Sequence, residues 1–371
     1  MGNPIFAQEF IYMAKFHTLK VADVRRETAD CVSVAFDIPE NLETEFKFLP
    51  GQYLTLKIIS GGEEIRRSYS ICTSPYEKEL RVAVKRVKDG KGSTYITEKL
   101  RRGDEIEVMT PMGNFHTPLL STNNKQYVLF AGGSGITPML SILKTVLIEE
   151  PGSTLILFYG NLNEESTIFR KTLNELNEKE HGRFQLYYIF DKPESGSSHG
   201  SGGLYSGVMS KEKVHLLLNK HVALSPLHEF FICGPTPMMD NVRETLEELK
   251  IEKPKIHIEY FTSALGFATK VNMPAGEKIT SQVTVIQYGM ETTFELSSDG
   301  KVILDAAMDA GVDAPFACKG AVCATCRGKL IEGKVVMEKN FALTDEDIAD
   351  GYILTCQSHP STPVVKVDYD G

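Results

Sequence analysis

Long uninterrupted apolar runs are missing from this 371-residue chain, and their absence already narrows its class. The one uncharged stretch long enough to suggest a membrane span, Tyr127 to Leu143, is broken by Gly132, Gly133, Gly135 and Pro138, a density that a spanning helix rarely carries. A strand, a loop and a helix start are expected there instead, and no membrane partner. The opening MGNPIFAQEFIYMAKF shows no basic segment followed by a continuous apolar stretch, and Phe6 stands where a myristoylation signal wants Ser or Thr. Neither export nor lipid anchoring is expected. Cysteine is sparse and odd in number, seven in all, which fits a reducing cytoplasm and argues against a disulfide framework. Excess positive charge is missing too. The net charge is −9, and from Gly276 onward 15 acidic residues stand against 8 basic ones. Nucleic acid is therefore not expected as a partner, and the acidic last third reads either as solvated surface or as a docking face.

What is present is enough for several cores. With 42% apolar and 24% charged residues, a chain of this length can build two or three domains. After an N-terminal extension, residues 1–15, the pattern is β: Val32, Val34, Phe36 and Ile38 alternate, and YLTLKII, IRRSYSIC, ELRVAVKRV and EIEVMTP follow between Gly, Pro and charged turns. Several short strands over 16–122 predict a small closed antiparallel barrel. From residue 123 the period changes. YVLFAG, LILFYG, FQLYYIF, FFICG and KIHIEYF are short apolar runs separated by helix-like segments such as TPMLSILKTVLIEE and TPMMDNVRETLEELK, which predicts an α/β parallel sheet over 123–261. Residues 262–281 have neither period and read as a linker. The remainder, 282–371, with SQVTVIQYG, TTFELS, a helix around KVILDAAMDAG and a final VVKVDYD, reads as a compact α+β module.

Three of the seven cysteines fall within nine residues, in CKGAVCATC. Zinc sites usually pair two C-x2-C knuckles, whereas here a lone Cys318 precedes Cys323 and Cys326, and the only later cysteine is Cys356. That spacing is the plant-type pattern for a [2Fe–2S] cluster. The small residues Gly320, Ala321 and Ala324 let such a loop wrap the cluster and bring backbone N–H groups near the sulfur. Cys31 and Cys72 read as buried small hydrophobes.

Two further motifs suit nucleotide cofactors. In RSYS, Tyr69 could lie on a flavin ring, Ser70 could stand near its N5, and Arg67 could meet a phosphate. About twenty residues later Gly92, Ser93 and Thr94 open a helix whose free N–H groups suit the same phosphates. GGSGITP, comprising Gly132, Gly133, Ser134, Gly135, Ile136, Thr137 and Pro138, follows an apolar strand and opens a helix, where a pyrophosphate can sit. Cys233, Gly234 and Pro235 end a later strand on the same rim, with Cys233 suited to touch a nicotinamide ring.

RSYS, GKGST, GGSGITP and CGP in this order resemble the ferredoxin–NADP reductase superfamily over residues 16–261. With PFACKGAVCATCRGKLIEGKV and NFALTDEDIADGYILTCQSHP appended, the chain is similar to the family of phenylacetyl-CoA epoxidase reductase subunits. The resemblance implies FAD rather than FMN, one [2Fe–2S] cluster in a β-grasp ferredoxin domain, and NADPH as the reductant. It also implies electron delivery to the di-iron oxygenase component of a multicomponent complex. Another oxygenase or a hybrid-cluster protein as acceptor stays open, as does a sensor module on an inactive scaffold. The family often carries Asn-Arg after the second sheet strand, but here Leu162 follows Asn161. At the next strand end Asp191 favours a free ribose hydroxyl and Lys192 a phosphate, so NADH also stays open.

Overall fold

The computed structural model describes residues 15–193, 204–225, 227–261 and 278–371. Residues 1–14 of the N-terminal extension and 262–277 of the linker lie outside them.

The first module is a six-stranded antiparallel sheet. Its strands are β1 (Phe16–Thr28), β2 (Cys31–Asp37), β3 (Tyr53–Ser60), β4 (Glu63–Ser70), β5 (Leu80–Lys85) and β6 (Glu105–Met109), with α1 (Lys91–Glu98) between the last two. The order is β4-β3-β6-β1-β2-β5. The sheet curls because alternate residues, Val32, Val34 and Phe36 with Leu54, Leu56 and Ile58, bury one face in a common core. The closed barrel expected from sequence is only partly closed. Its edge strands β4 and β5 meet through the single bridge Ile71–Val82, so the sheet is a curled half-barrel.

The second module is a parallel sheet of β7 (Gln126–Gly132), β8 (Thr154–Asn161), β9 (Phe184–Phe190), β10 (Leu204–Ser206), β11 (His228–Cys233) and β12 (Ile256–Glu259), in the order β10-β9-β8-β7-β11-β12. Both faces are covered, which is why its strands read as continuous apolar runs. Tyr127, Leu129 and Ala131 pack with α2 (Ile136–Glu149) and α3 (Arg170–Lys179). Val128 and Phe130 pack with α4 (Lys211–His221) and α5 (Thr236–Glu248). From β7 the chain runs outward through β8, β9 and β10 and then returns to the other side with β11. The strand order therefore reverses between β7 and β11, and ligands in open α/β sheets bind at such a switch point.

The third module has a five-stranded mixed sheet of β13 (Thr280–Gln287), β14 (Met290–Ser297), β15 (Arg327–Glu332), β17 (Tyr352–Leu354) and β19 (Val364–Asp368), ordered β14-β13-β19-β15-β17. A two-stranded ribbon pairs β16 (Val335–Met337) with β18 (Ser358–Pro360). The first strand begins two residues inside the segment read as linker. Helix α6 (Ile303–Asp309) buries Ile303, Leu304 and Ala307 in the module's core, and α7 (Asp345–Ala349) is capped by the Thr344–Asp347 box. Cys31 and Cys72 are buried, as expected for small hydrophobes. No helix among the described residues is long and apolar enough to cross a membrane.

Candidate functional site

The cysteine loop needs an unusual backbone, and two of the three residues that supply it are small. Lys319, Ala321 and Ala324 adopt left-handed φ values of 50°, 65° and 49°, a region that resists bulky or branched side chains. The resulting curl aims amides inward. The Gly320 N–H lies 3.2 Å from Cys318 Sγ, the Val322 and Cys323 amides also point to that sulfur, and the Ala321 amide points to Cys356. The four thiols are arranged as two contacting pairs, Cys318 with Cys323 and Cys326 with Cys356. Hydrogen bonding within each pair holds one thiol low, Cys318 and Cys356 respectively, and together with burial its partner high. Among the described residues no three His, Cys, Asp or Glu side chains converge on one point as a single ion would require. Two pairs fit a two-iron cluster better, since each iron takes two thiolates. The converging N–H groups suit the charge such a cluster gains on reduction.

At the switch point the two glycine-bearing turns are in direct contact. A Cβ on Gly135 would lie 2.1 Å from the Cys233 carbonyl oxygen, and one on Gly234 would lie 2.9 Å from Gly132 N. Only glycine lets these backbones approach so closely. Gly133 has φ 52° and open space beside it, so a ligand can reach that turn. Ser134, Gly135, Ile136, Thr137 and Pro138 form the entry to α2, and the Thr137 hydroxyl closes back on the Ser134 carbonyl at 3.0 Å. On the same rim the side-chain amide of Asn161 is buried with no hydrogen-bond partner for Nδ2 among the described residues, an opening for a nucleotide acceptor. The backbone N–H groups of Asp191 and Lys192 bond the carbonyls of Asn161 and Leu162, which brings the two candidate ribose discriminators to this rim, both exposed. Pro235 precedes α5, and Cys233 is fully buried, which pushes its thiol up.

The β3–β4 ribbon carries the flavin motif, and alternation divides it. Ile65, Arg67 and Tyr69 share one face, where the Arg67 side chain passes 3.5 Å from the position of a Gly92 Cβ at the start of α1. Arg67 is exposed, and among the described residues its one hydrogen bond is to the Arg66 carbonyl, so its remaining donors can face a phosphate. Ser93 is less free than the sequence suggests. Its hydroxyl accepts from Val87 N and donates to Gly90 O, pinning the turn that leads into α1, and Thr94, the fourth residue of that helix, already donates its N–H to the Gly90 carbonyl. Tyr69 is half-buried against the barrel core, and burial pushes its phenol far up.

Ser70 lies on the other face and donates a 3.1 Å hydrogen bond to Glu259 Oε2. Glu259 was missed by the sequence reading. It ends β12 directly beside Cys233 in the parallel register, so Ser70, Cys233 and Glu259 meet where the two domains join. Burial pushes the Glu259 carboxyl up to about 8, and the Ser70 hydroxyl partly offsets this.

Family profiles match the three modules in turn: an oxidoreductase FAD-binding domain at residues 18–117, an oxidoreductase NAD-binding domain at 129–244, and a 2Fe-2S iron-sulfur cluster binding domain at 285–361. The chain is 42% identical over 360 residues to one of the subunits of the 1,2-phenylacetyl-CoA epoxidase of Escherichia coli (strain K12), covering 96% of this chain and 99% of that one. It is 32% identical over 357 residues to the ferredoxin reductase component of the 3-ketosteroid-9-alpha-monooxygenase of Rhodococcus rhodochrous, covering 95% and 96% of the two chains. Phthalate dioxygenase reductase shares the fold across 95% of this chain and 98% of its own, with a TM-score of 0.55 at 24% identity. FAD, a nicotinamide nucleotide and a [2Fe–2S] cluster are thus the cofactors of its three domains. The chain belongs to the electron-transfer reductases of the ferredoxin–NADP reductase type that carry a C-terminal [2Fe–2S] domain, the family of the reductase component of phenylacetyl-CoA epoxidase.

Proposed function

We propose that this reductase, working in the cytoplasm, delivers electrons to a di-iron oxygenase component that epoxidises the ring of an aryl coenzyme A thioester, with phenylacetyl-CoA the first substrate to try. The observation that supports this acceptor is the 42% identity running through 96% of this chain and 99% of its epoxidase relative. On this reading Cys318, Cys323, Cys326 and Cys356 hold the cluster. Arg67, Tyr69, Ser70, Gly92, Ser93 and Thr94 form the FAD seat. The turn from Gly132 to Pro138, with Cys233, Gly234, Pro235 and Lys192, takes NADPH in preference to NADH.

When bound, the nicotinamide supplies a hydride and the flavin divides it into single electrons for the cluster. The chain supplies position, exclusion of water and a proton site. Cys233, fully buried at the end of its strand, would keep the floor of the nicotinamide site apolar and dry, and the contact between the two glycine turns fixes that rim. The Glu259 carboxyl, which accepts from Ser70 Oγ through Oε2, holds a proton at neutral pH. The test is reconstitution. The purified chain with NADPH and the oxygenase components of a phenylacetyl-CoA epoxidase should form the epoxidised thioester, detected by mass spectrometry. Absence of product, alongside efficient support of a different oxygenase, would reject this acceptor.

A further inference from the structure

The face of the β3–β4 ribbon that bears Ser70 carries two more residues that no motif singled out. Along its ladder Tyr53 stands opposite Ser70, Thr55 opposite Ser68 and Lys57 opposite Arg66, so the polar face runs from Tyr53 at one end to Arg66 at the other. Both ends meet the third module.

Arg66 is 8% exposed although it carries a charge. Its guanidinium lies between two rings, 4.9 Å from the Phe16 centroid and 4.2 Å from that of Phe316, two residues before the first cluster cysteine. It also donates to Glu64 at 2.8 Å and to Asp313 at 3.5 Å. Tyr53 is 5% exposed. Its hydroxyl bonds the carbonyl of Cys323 and lies 3.1 Å from Thr325 Oγ1, and its ring packs with Met112, Ala317 and Cys318. The segment from Asp313 to Thr325, which includes Cys318 and Cys323, is thus held at both ends by the outer face of the ribbon. Arg67 and Tyr69 occupy its inner face.

We propose that Arg66 and Tyr53 are positioning residues for transfer between flavin and cluster: Arg66 clamps the approach to the cysteine loop through a planar stack on Phe316, and Tyr53 fixes the Cys323 end. This rests on the reading that electrons pass serially through the cluster. What the pair positions is a one-electron step. One electron would leave the reduced flavin and make one ferric iron of the oxidised cluster ferrous, the cluster would pass it to the oxygenase partner before the second electron follows, and the one proton carried by the hydride would be released to solvent. Tyr53 undergoes no net redox change in this step, and burial far from water keeps its phenol protonated. An ion pair alone would not need the ring, whereas a stacked guanidinium does, so lysine should replace arginine poorly.

The test uses the full chain with FAD and cluster bound, as Arg66→Ala, Arg66→Lys and Tyr53→Phe. Flavin bleaching and cluster reduction are followed separately by anaerobic stopped flow after NADPH addition. Hydrogen exchange is measured across 313–326. Flavin content, hydride transfer and ferricyanide reduction should match the wild type. Cluster reduction should slow about ten- to a hundredfold in Arg66→Ala, the scale expected of a small misplacement, and Arg66→Lys should recover only part of it. Tyr53→Phe keeps the ring in place, so it reports on the hydroxyl even where Arg66→Ala folds poorly. It should slow the same step several-fold and speed exchange at Cys323 to Thr325. Cluster reduction within twofold of wild type with unchanged exchange in both Arg66→Ala and Tyr53→Phe would overturn the proposal, as would loss of FAD from Arg66→Ala. Failure of the serial path has a different sign: partner turnover would survive loss of the cluster.

Discussion

Replacing Glu259 by glutamine should remove a pH dependence from the stability of the protein. The carboxyl has a folded value of about 8 against an ordinary value of 4.5, because burial penalises its charged form. The sign follows from proton counting. Between these two values the folded state holds a proton on Glu259 that the unfolded state has released, so raising the pH favours unfolding. The stabilisation is complete below pH 4.5, is lost progressively as pH rises towards 8, and changes no further once both states are ionised. The slope is bounded by one proton, up to about 1.4 kcal/mol per pH unit. Glutamine keeps the shape and can accept the 3.1 Å hydrogen bond from Ser70, yet it carries no charge at any pH. In urea melts of wild type and Glu259→Gln from pH 4.5 to 8.5, the stability difference should be small at the acid end and should grow in favour of the variant toward pH 8. Other titrating groups contribute equally to both curves and cancel. Parallel curves across the whole range would refute the assignment of a proton-holding carboxyl. In activity the same group should appear as a step near pH 8 in the rate of flavin reduction, absent from the variant.

Gly135→Ala should destabilise the nicotinamide domain by about 3 kcal/mol or more, since its Cβ would stand 2.1 Å from a backbone carbonyl that cannot swing away; a thermal melt within a degree of wild type would contradict this. Tyr69→Ala and Arg67→Ala should lose flavin while keeping far-ultraviolet circular dichroism, because Arg67 is exposed and Tyr69 lies only at the margin of the barrel core; unfolded apoprotein from both would count against those roles. Lys192→Ala should lower kcat/KM for NADPH several-fold and leave NADH unchanged, and a wild type that prefers NADH with no response to the substitution would reject Lys192 as the phosphate partner. Cys323→Ser should abolish or strongly perturb the cluster and collapse partner reduction while ferricyanide reduction continues from flavin; oxygenase turnover near the wild-type rate in folded, cluster-depleted protein would break the serial path.

The parts of this fold that were readable in sequence are those fixed by local chemistry. The cysteine spacing is a property of one loop, and the apolar runs of β7, β8 and β11 follow from a sheet covered on both sides. The two glycine turns could be placed on one rim because parallel strands end together. Glu259 was not readable for the opposite reason. Its meaning depends on Ser70, 189 residues earlier, and on the register that sets it beside Cys233, and neither is a local property. Ser93 shows the limit of a motif reading: its hydroxyl is occupied by its own turn, so a contact with a flavin phosphate falls to its backbone N–H. Closure of the barrel failed on a similar point, since strand count does not say whether the edge strands share a ladder or a single bridge.

Arg66 and Arg67 are the sharpest case, being adjacent in sequence and opposite in role. Alternation requires that two neighbours in a strand face opposite ways, but it does not say which of them faces the flavin. That choice is made by register. β3 ends at Ser60 and β4 begins at Glu63, so the hairpin turns on Gly61 and Gly62, both at positive φ, 64° and 79°. A two-residue turn of this hand suits the twist of the strands and fixes each pair across the ladder. The Thr55 and Ser68 hydroxyls, 3.1 Å apart, reinforce the same pairing. A slip of one residue would send Arg67 and Tyr69 toward the cysteine loop and Arg66 and Ser70 toward α1, exchanging the two seats at once. The Gly-Gly turn therefore does more than close a hairpin. By setting the register of one ribbon it decides which face offers Arg67 and Tyr69 to the proposed flavin seat and which face meets the cysteine loop.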